Sequence, residues 1–275
     1  MRSTDGRNTA GREWGRRRFV AACAAIAAAP AIAAAQAARD EARLSGTRSD
    51  LVAANLILAR QGVLDGMGHV SVRHPGRSDR FLLARSVAPE SVTLSDLLEY
   101  DLDGRALDAQ GRASYRERFI HAEVYRARPD VQAVVHCHTP SLIPFAASSV
   151  PLRAMYHMAA FVADGVPVWD IRRAAGGATD LLVGDSALGR SLAQALGRSH
   201  AALLRGHGAV VVAPNLPAVV GRSVYLDLNA RAQLQAVGLG GTLSYVEPDE
   251  ARLRMADPNE YTRAWEQWRA QVVVR

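Results

Sequence analysis

Lysine is missing from the 275-residue chain: all 33 basic residues are arginine. That excludes every mechanism that runs through a lysine Schiff base, lysine-dependent aldolases and pyridoxal-phosphate enzymes among them. Cysteine is scarce, with only Cys23 and Cys137, so a disulfide scaffold is excluded. No uncharged stretch reaches about 20 strongly apolar residues, so neither a multi-span pattern nor a stable membrane anchor is expected. What is present is ordinary for a globular chain: 49% hydrophobic and 22% charged residues. Disorder and collagen are excluded on that balance.

A net charge of +6 invites a nucleic-acid partner, but the charge is unevenly placed. Arg2, Arg7, Arg12, Arg16, Arg17 and Arg18 stand in residues 1–37 against Asp5 and Glu13 alone. The remainder holds 27 basic and 25 acidic residues, and no nucleic-acid binding is expected of it.

Arg16-Arg17-Arg18-Phe19-Val20 opens an uncharged, mostly alanine run from Phe19 to Ala35, with Pro30 near its end. Small residues follow as Ala33-Ala34-Ala35 or Ala35-Gln36-Ala37, either of which has the A-x-A form. A charged head, a weakly apolar middle and a small-residue exit describe a secretory signal peptide. The arginine pair followed by one residue and Phe resembles the twin-arginine signal. Residues 1–37 are therefore expected to be a signal peptide, and export to the periplasm by the twin-arginine route follows. The alternative is a cytoplasmic protein with a disordered or alanine-helical N-terminus, or one held by a single anchor. Cleavage would remove Cys23 and leave Cys137 as the only thiol, so no intrachain disulfide is possible.

From residue 38 on, helices and strands interleave. Helical spacing is expected over 40–61, 114–126, 179–196 and 216–236, with more helix around Pro248 and over 261–268. Strands are expected over 69–73, 80–83, 99–102, 131–138, 201–204 and 209–212. No linker or internal repeat interrupts them, so residues 38–275 read as one α/β domain with a central sheet.

His136-Cys137-His138 ends an apolar strand. Side chains two apart share a strand face, so the two imidazoles can converge on one ion while Cys137 points away. Glu117 and His121 are four apart in the preceding helical segment, which predicts a shared face. His207 lies between Gly206 and Gly208, which remove bulk and let the backbone aim one imidazole. Three imidazoles with an open position suit a catalytic divalent cation.

Four stretches, in this order, resemble the class II aldolase/adducin family. They are Glu117-x-x-x-His121, Arg128-Pro129-Asp130, Val134-Val135-His136-Cys137-His138-Thr139-Pro140 and Leu203-Leu204-Arg205-Gly206-His207-Gly208-Ala209. Gly68-His69-Val70-Ser71-Val72-Arg73 is similar to the family's early strand, with His69 in place of an asparagine. The resemblance spans about residues 48–240. It implies a three-layer α/β/α domain with a mixed central sheet, and His136, His138 and His207 as ligands of a divalent metal, Zn²⁺ or Mn²⁺. It implies Glu117 as the catalytic carboxylate, either base or fourth ligand, and a homotetramer.

The departures from that family narrow the substrate. Where its sugar-phosphate enzymes carry small hydroxyl residues and glycines, this chain has Ala113-Ser114-Tyr115-Arg116 and Leu83-Ala84-Arg85-Ser86-Val87. Arginine forks suit carboxylates. Arg80 to Ser86 and Tyr156 to Phe161 resemble the branch that decarboxylates hydroxylated aromatic or pyridine carboxylates. The expected substrate is thus a small carboxylate or carbonyl compound, contacted by His69, Ser71, Arg85, Ser86 and Arg116, with His157 as a candidate acid. The alternatives are an aldolase or 4-epimerase acting on a small sugar phosphate, and a non-catalytic adducin-like module.

Overall fold

The computed structural model describes residues 13–257 and 259–275, with side chains described from residue 33 onward. Arg2, Arg7 and Arg12 of the expected signal peptide lie outside the described residues, as do the side chains of Arg16, Arg17 and Arg18. The chain divides into two units, Met1–Ser45 and Gly46–Arg275. The backbone of the first is helical from Glu13, as part of helix α1 (Glu13–Arg60). That helix is longer than the expected 40–61, because the alanine run before it has the highest intrinsic helix propensity. Among the described residues no helix is long and apolar enough to cross a membrane.

The second unit is built on one seven-stranded sheet. Its strands are β1 (His69–Arg73), β2 (Arg80–Ala84), β3 (Leu97–Asp101), β4 (Ala133–Cys137), β5 (Val168–Trp169), β6 (Ala201–Leu204) and β7 (Gly208–Ala213). They lie in the order β3-β2-β1-β4-β7-β6-β5. Every neighbouring pair is antiparallel except β5 with β6, which makes the sheet mixed. The central strands β4 and β7 are buried along their whole length, as their valine-rich runs require of strands covered on both faces.

Helices α2 (Arg118–Ala127) and α5 (Ser186–Leu196) pack on each other. Gly189 makes that approach possible, since a Cβ there would lie 2.6 Å from the Phe119 carbonyl oxygen. The α2 side chains His121 and Tyr125 reach Ser71 of β1, so these helices cover the face that carries His69, Ser71 and His136. The long helix α6 (Leu216–Leu239) opens on Asn215, whose side chain accepts the Ala218 N–H, and buries Val219, Val220, Leu226 and Ala230. Short helices α3 (Ile143–Ala147) and α4 (Ile171–Ala174) fill connections, and α7 (Pro248–Arg254) and α8 (Thr262–Arg269) close the chain.

Two expected helices begin later than their sequence pattern suggests. Helix α2 starts at Arg118, not residue 114, which leaves Glu117 as its N-cap residue. Helix α5 starts at Ser186, not 179, because Asp185 caps it by accepting the Leu188 N–H. Residues 179–185 are instead an irregular segment laid across the site.

Candidate metal centre

Sheet register brings the histidines together. His69 of β1 stands opposite His136 of β4 in their antiparallel pairing. His138 follows β4 directly, and His207 sits in the tight turn between β6 and β7, where its N–H donates to the Leu204 carbonyl. Each flanking glycine has its own task. Gly206 takes φ +67°, in the left-handed region that favours glycine. Gly208 lies so close to β4 that a Cβ would fall 2.0 Å from the Cys137 carbonyl oxygen.

The four ligand atoms of Glu117, His136, His138 and His207 all lie within 4.8 Å of one another. His138 Nε2 is 3.0 Å from both His136 Nε2 and His207 Nε2. The Glu117 Oε2 atom is 3.5 Å from the Nε2 atoms of His136 and His207. Its other oxygen, Oε1, accepts the Val183 N–H at 2.9 Å. The irregular segment after residue 178 thus clasps the carboxylate from outside and aims Oε2 inward.

Protonation suits a cation. Burial alone would raise the Glu117 carboxyl, but hydrogen bonds to His136 and His207 outweigh it and hold it well below the usual carboxylate range. His138 is lowered to about 4, by burial first and then by His136 and His207. His136 Nδ1–H donates to the Ala209 carbonyl at 3.1 Å, which turns its Nε2 towards His138 and Glu117. Imidazole nitrogens 3.0 Å apart repel unless a cation or a proton lies between them. Three imidazole nitrogens and one carboxylate held in its ionised form make a donor set that fits a divalent metal.

The remaining expected residues fall into separate groups. His69 is buried, and its ring lies 5.1 Å from that of His136 and 4.7 Å from that of Tyr115. Ser71 is fully buried and turned towards His121 and Tyr125. His121 does not pair with Glu117; its two ring nitrogens are taken by His69 and Ser71. Arg85 Nε is tied to Asp96 at 2.6 Å, and the neighbouring Ser86 is exposed. Arg116 is exposed, pairs with Asp180 at 2.7 Å, and lies against Gly184, next to the Val183 clasp. His157 is exposed, and its ring meets that of Tyr156. Cys137 is buried and free.

Residue spacing does not point to the Val183 N–H, Asp65 or Tyr115. Asp65 lies 3.7 Å from His138 Nδ1. The Tyr115 hydroxyl donates to the Val87 carbonyl and joins the two loops that carry Arg85 and Arg116. A signal for Tyr115 did exist, since it replaces a small residue in one of the divergent loops.

The chain is 37% identical over 195 residues to decarboxylase tropJ of Talaromyces stipitatus, covering 66% of this chain and 73% of that protein. It is 31% identical over 227 residues to the 3,4-dihydroxyphthalate decarboxylase of Arthrobacter keyseri, covering 78% and 87%. In fold it is similar to L-fuculose 1-phosphate aldolase from Glaciozyma antarctica PI12, with a TM-score of 0.69 at 22% identity, over 84% of this chain and 90% of that one. The family model for the class II aldolase and adducin N-terminal domain matches residues 49–234, and the chain belongs to that family.

Proposed function

We propose that this protein is a divalent-metal-dependent lyase that decarboxylates a hydroxylated aromatic or heteroaromatic carboxylate. The observation that carries this reading is the Glu117–His136–His138–His207 cluster, in a chain whose relatives include 3,4-dihydroxyphthalate decarboxylases. A divalent cation held by the three histidines supplies a Lewis acid that stabilises negative charge on an adjacent substrate oxygen. Arg116 binds a substrate carboxylate, which takes over the place of Asp180 on its guanidinium. Loss of CO₂ leaves an electron pair on a ring carbon, and that carbon must take up a proton. Glu117, beside the imidazoles, takes the proton of the substrate hydroxyl as that oxygen becomes anionic and returns it to the ring carbon once CO₂ has left. His157 is exposed and meets Tyr156, with no contact to the cluster among the described residues, which favours Glu117 in this role.

The test is CO₂ release from 3,4-dihydroxyphthalate and other hydroxy-aryl carboxylates, run beside cleavage and epimerisation of small sugar phosphates. Release of CO₂ that requires added Zn²⁺ or Mn²⁺ is expected. Efficient turnover of a sugar phosphate, with every aryl carboxylate inert, would return the protein to the aldolase or epimerase reading. We further propose that residues 1–37 direct export by the twin-arginine route and that the mature chain forms a homotetramer.

A further inference from the structure

Beside His136 runs a line of buried polar groups that lies outside the metal cluster. His69, His121, Ser71 and Tyr125 are each no more than 2% exposed. His69 Nδ1 is 2.7 Å from His121 Nε2, and His121 Nδ1 is 2.6 Å from Ser71 Oγ. Ser71 Oγ is in turn 2.8 Å from the Tyr125 hydroxyl. Each contact holds one proton, so the line has only two self-consistent directions.

Tyr125 decides between them. Among the described residues the acceptor within reach is Ser71 Oγ. A buried hydroxyl keeps its proton hydrogen-bonded, so Tyr125 donates to Ser71. Ser71 then donates to His121 Nδ1, and His121 Nε2–H donates to His69 Nδ1. The opposite direction would strand the Tyr125 proton in the interior. Each ring accepts at Nδ1, and an imidazole that accepts at one nitrogen is neutral. A neutral ring that accepts at Nδ1 carries its proton on Nε2.

We propose that His121, oriented by Ser71 and Tyr125, is a positioning residue that holds His69 as the Nε2–H tautomer, so that His69 donates a hydrogen bond to an anionic substrate oxygen beside the metal cluster. His69 Nε2 has no hydrogen-bond partner among the described residues, and its ring lies between Tyr115 and His136. With the proton on Nδ1 instead, a bare lone pair would face the substrate and repel a carboxylate or phenolate. Only the nature of the accepting oxygen rests on the decarboxylase reading.

The test is ¹⁵N NMR of the histidine-labelled full chain, metal-free and zinc-loaded, without substrate. His69 is expected to show a protonated Nε2 and a bare Nδ1 in both. In Tyr125→Phe the terminal donor is gone and Ser71 is free to turn, so a second His69 population protonated on Nδ1 should appear in comparable share. Zinc content should not change, and KM for 3,4-dihydroxyphthalate should rise about twofold, as halving the competent population requires. Should Tyr125→Phe fail to fold, Ser71→Ala breaks the same line one link nearer and is read in the same way. A wild-type His69 protonated on Nδ1 overturns the proposal, as does an unchanged tautomer in the variant. Because the tautomers are read without substrate, a chain that releases no CO₂ from any carboxylate would sink the decarboxylase reading and leave this one standing.

Discussion

Glu117 and the three histidines reach one point with unequal support. His136 is fixed on both sides, by β4 and by its bond to the Ala209 carbonyl, whereas His138 and His207 sit just outside regular strands. Replacing any of the three with Ala should remove the metal, measured as bound metal per chain after gel filtration, and should abolish turnover. Retention of stoichiometric metal in one variant would take that residue out of the ligand set. Glu117→Gln should behave differently. Its amide oxygen can still accept the Val183 N–H, so the side chain stays in place while its charge is lost. Most metal should remain and turnover should fall at least about a hundredfold, the usual scale for a missing acid-base group. Arg85 and Arg116 should also part company. The Asp96 partner of Arg85 is held by the Thr93 N–H and hydroxyl as well, so it is anchored in place. Asp180 is half-exposed and gives way more readily. Arg116→Ala should therefore raise KM for a carboxylated substrate about tenfold or more, the scale of one charge-assisted hydrogen bond, with kcat and metal retained. Equal effects at both arginines would mean that the ion pairs do not set their roles.

Between elements, the closest approach in the site is that of β7 to β4 at Gly208. A methyl there would meet the Cys137 carbonyl oxygen at 2.0 Å and the His138 Cα at 3.1 Å. Neither atom can move without opening the strand pair between two ligands. Gly208→Ala should thus cost about 3 kcal/mol of stability and release the metal, read by urea denaturation and metal content. Gly206→Ala is the control. Its nearest neighbour is a Leu181 methyl at 3.8 Å, so only its φ of +67° is strained, at a cost of about 1–2 kcal/mol. The same contrast explains what the sequence made legible. Strand periodicity located β1, β2, β4, β6 and β7 within a residue or two, and the His-x-His spacing put two imidazoles on one face without knowledge of the fold. The starts of α2 and α5 were not legible, because Glu117 and the segment before α5 are ordered by each other across 66 residues, through the Val183 N–H. Strand β5 escaped because two residues carry no period. The line from His69 to Tyr125 escaped because it joins a strand face to a helix face, and each half alone reads as ordinary core.

Across the whole chain, charge separates residues 1–37 from the rest. Six of the 33 arginines fall in residues 1–37, while the remainder is close to neutral with 27 basic and 25 acidic residues. A folded domain of that balance needs no basic tail for its chemistry, since Glu117, His136, His138 and His207 all lie in the unit from Gly46 to Arg275. These four residues span 90 positions in sequence, from 117 to 207, so the cluster exists only once the domain has folded. On the proposed export reading, a route that carries folded chains would let metal load before transport, and the Arg16-Arg17 pair would be the address that such a route reads. Arg16→Lys with Arg17→Lys keeps the charge but replaces two planar guanidinium forks with point charges. The double variant should leave full-length precursor in the cytoplasm, folded and metal-loaded, when fractions are compared by immunoblot. Export of the variant at the wild-type level would show that charge alone is read, or that the first 37 residues are no twin-arginine signal, and the activity would then have to be sought where the general secretory route or the cytoplasm places it.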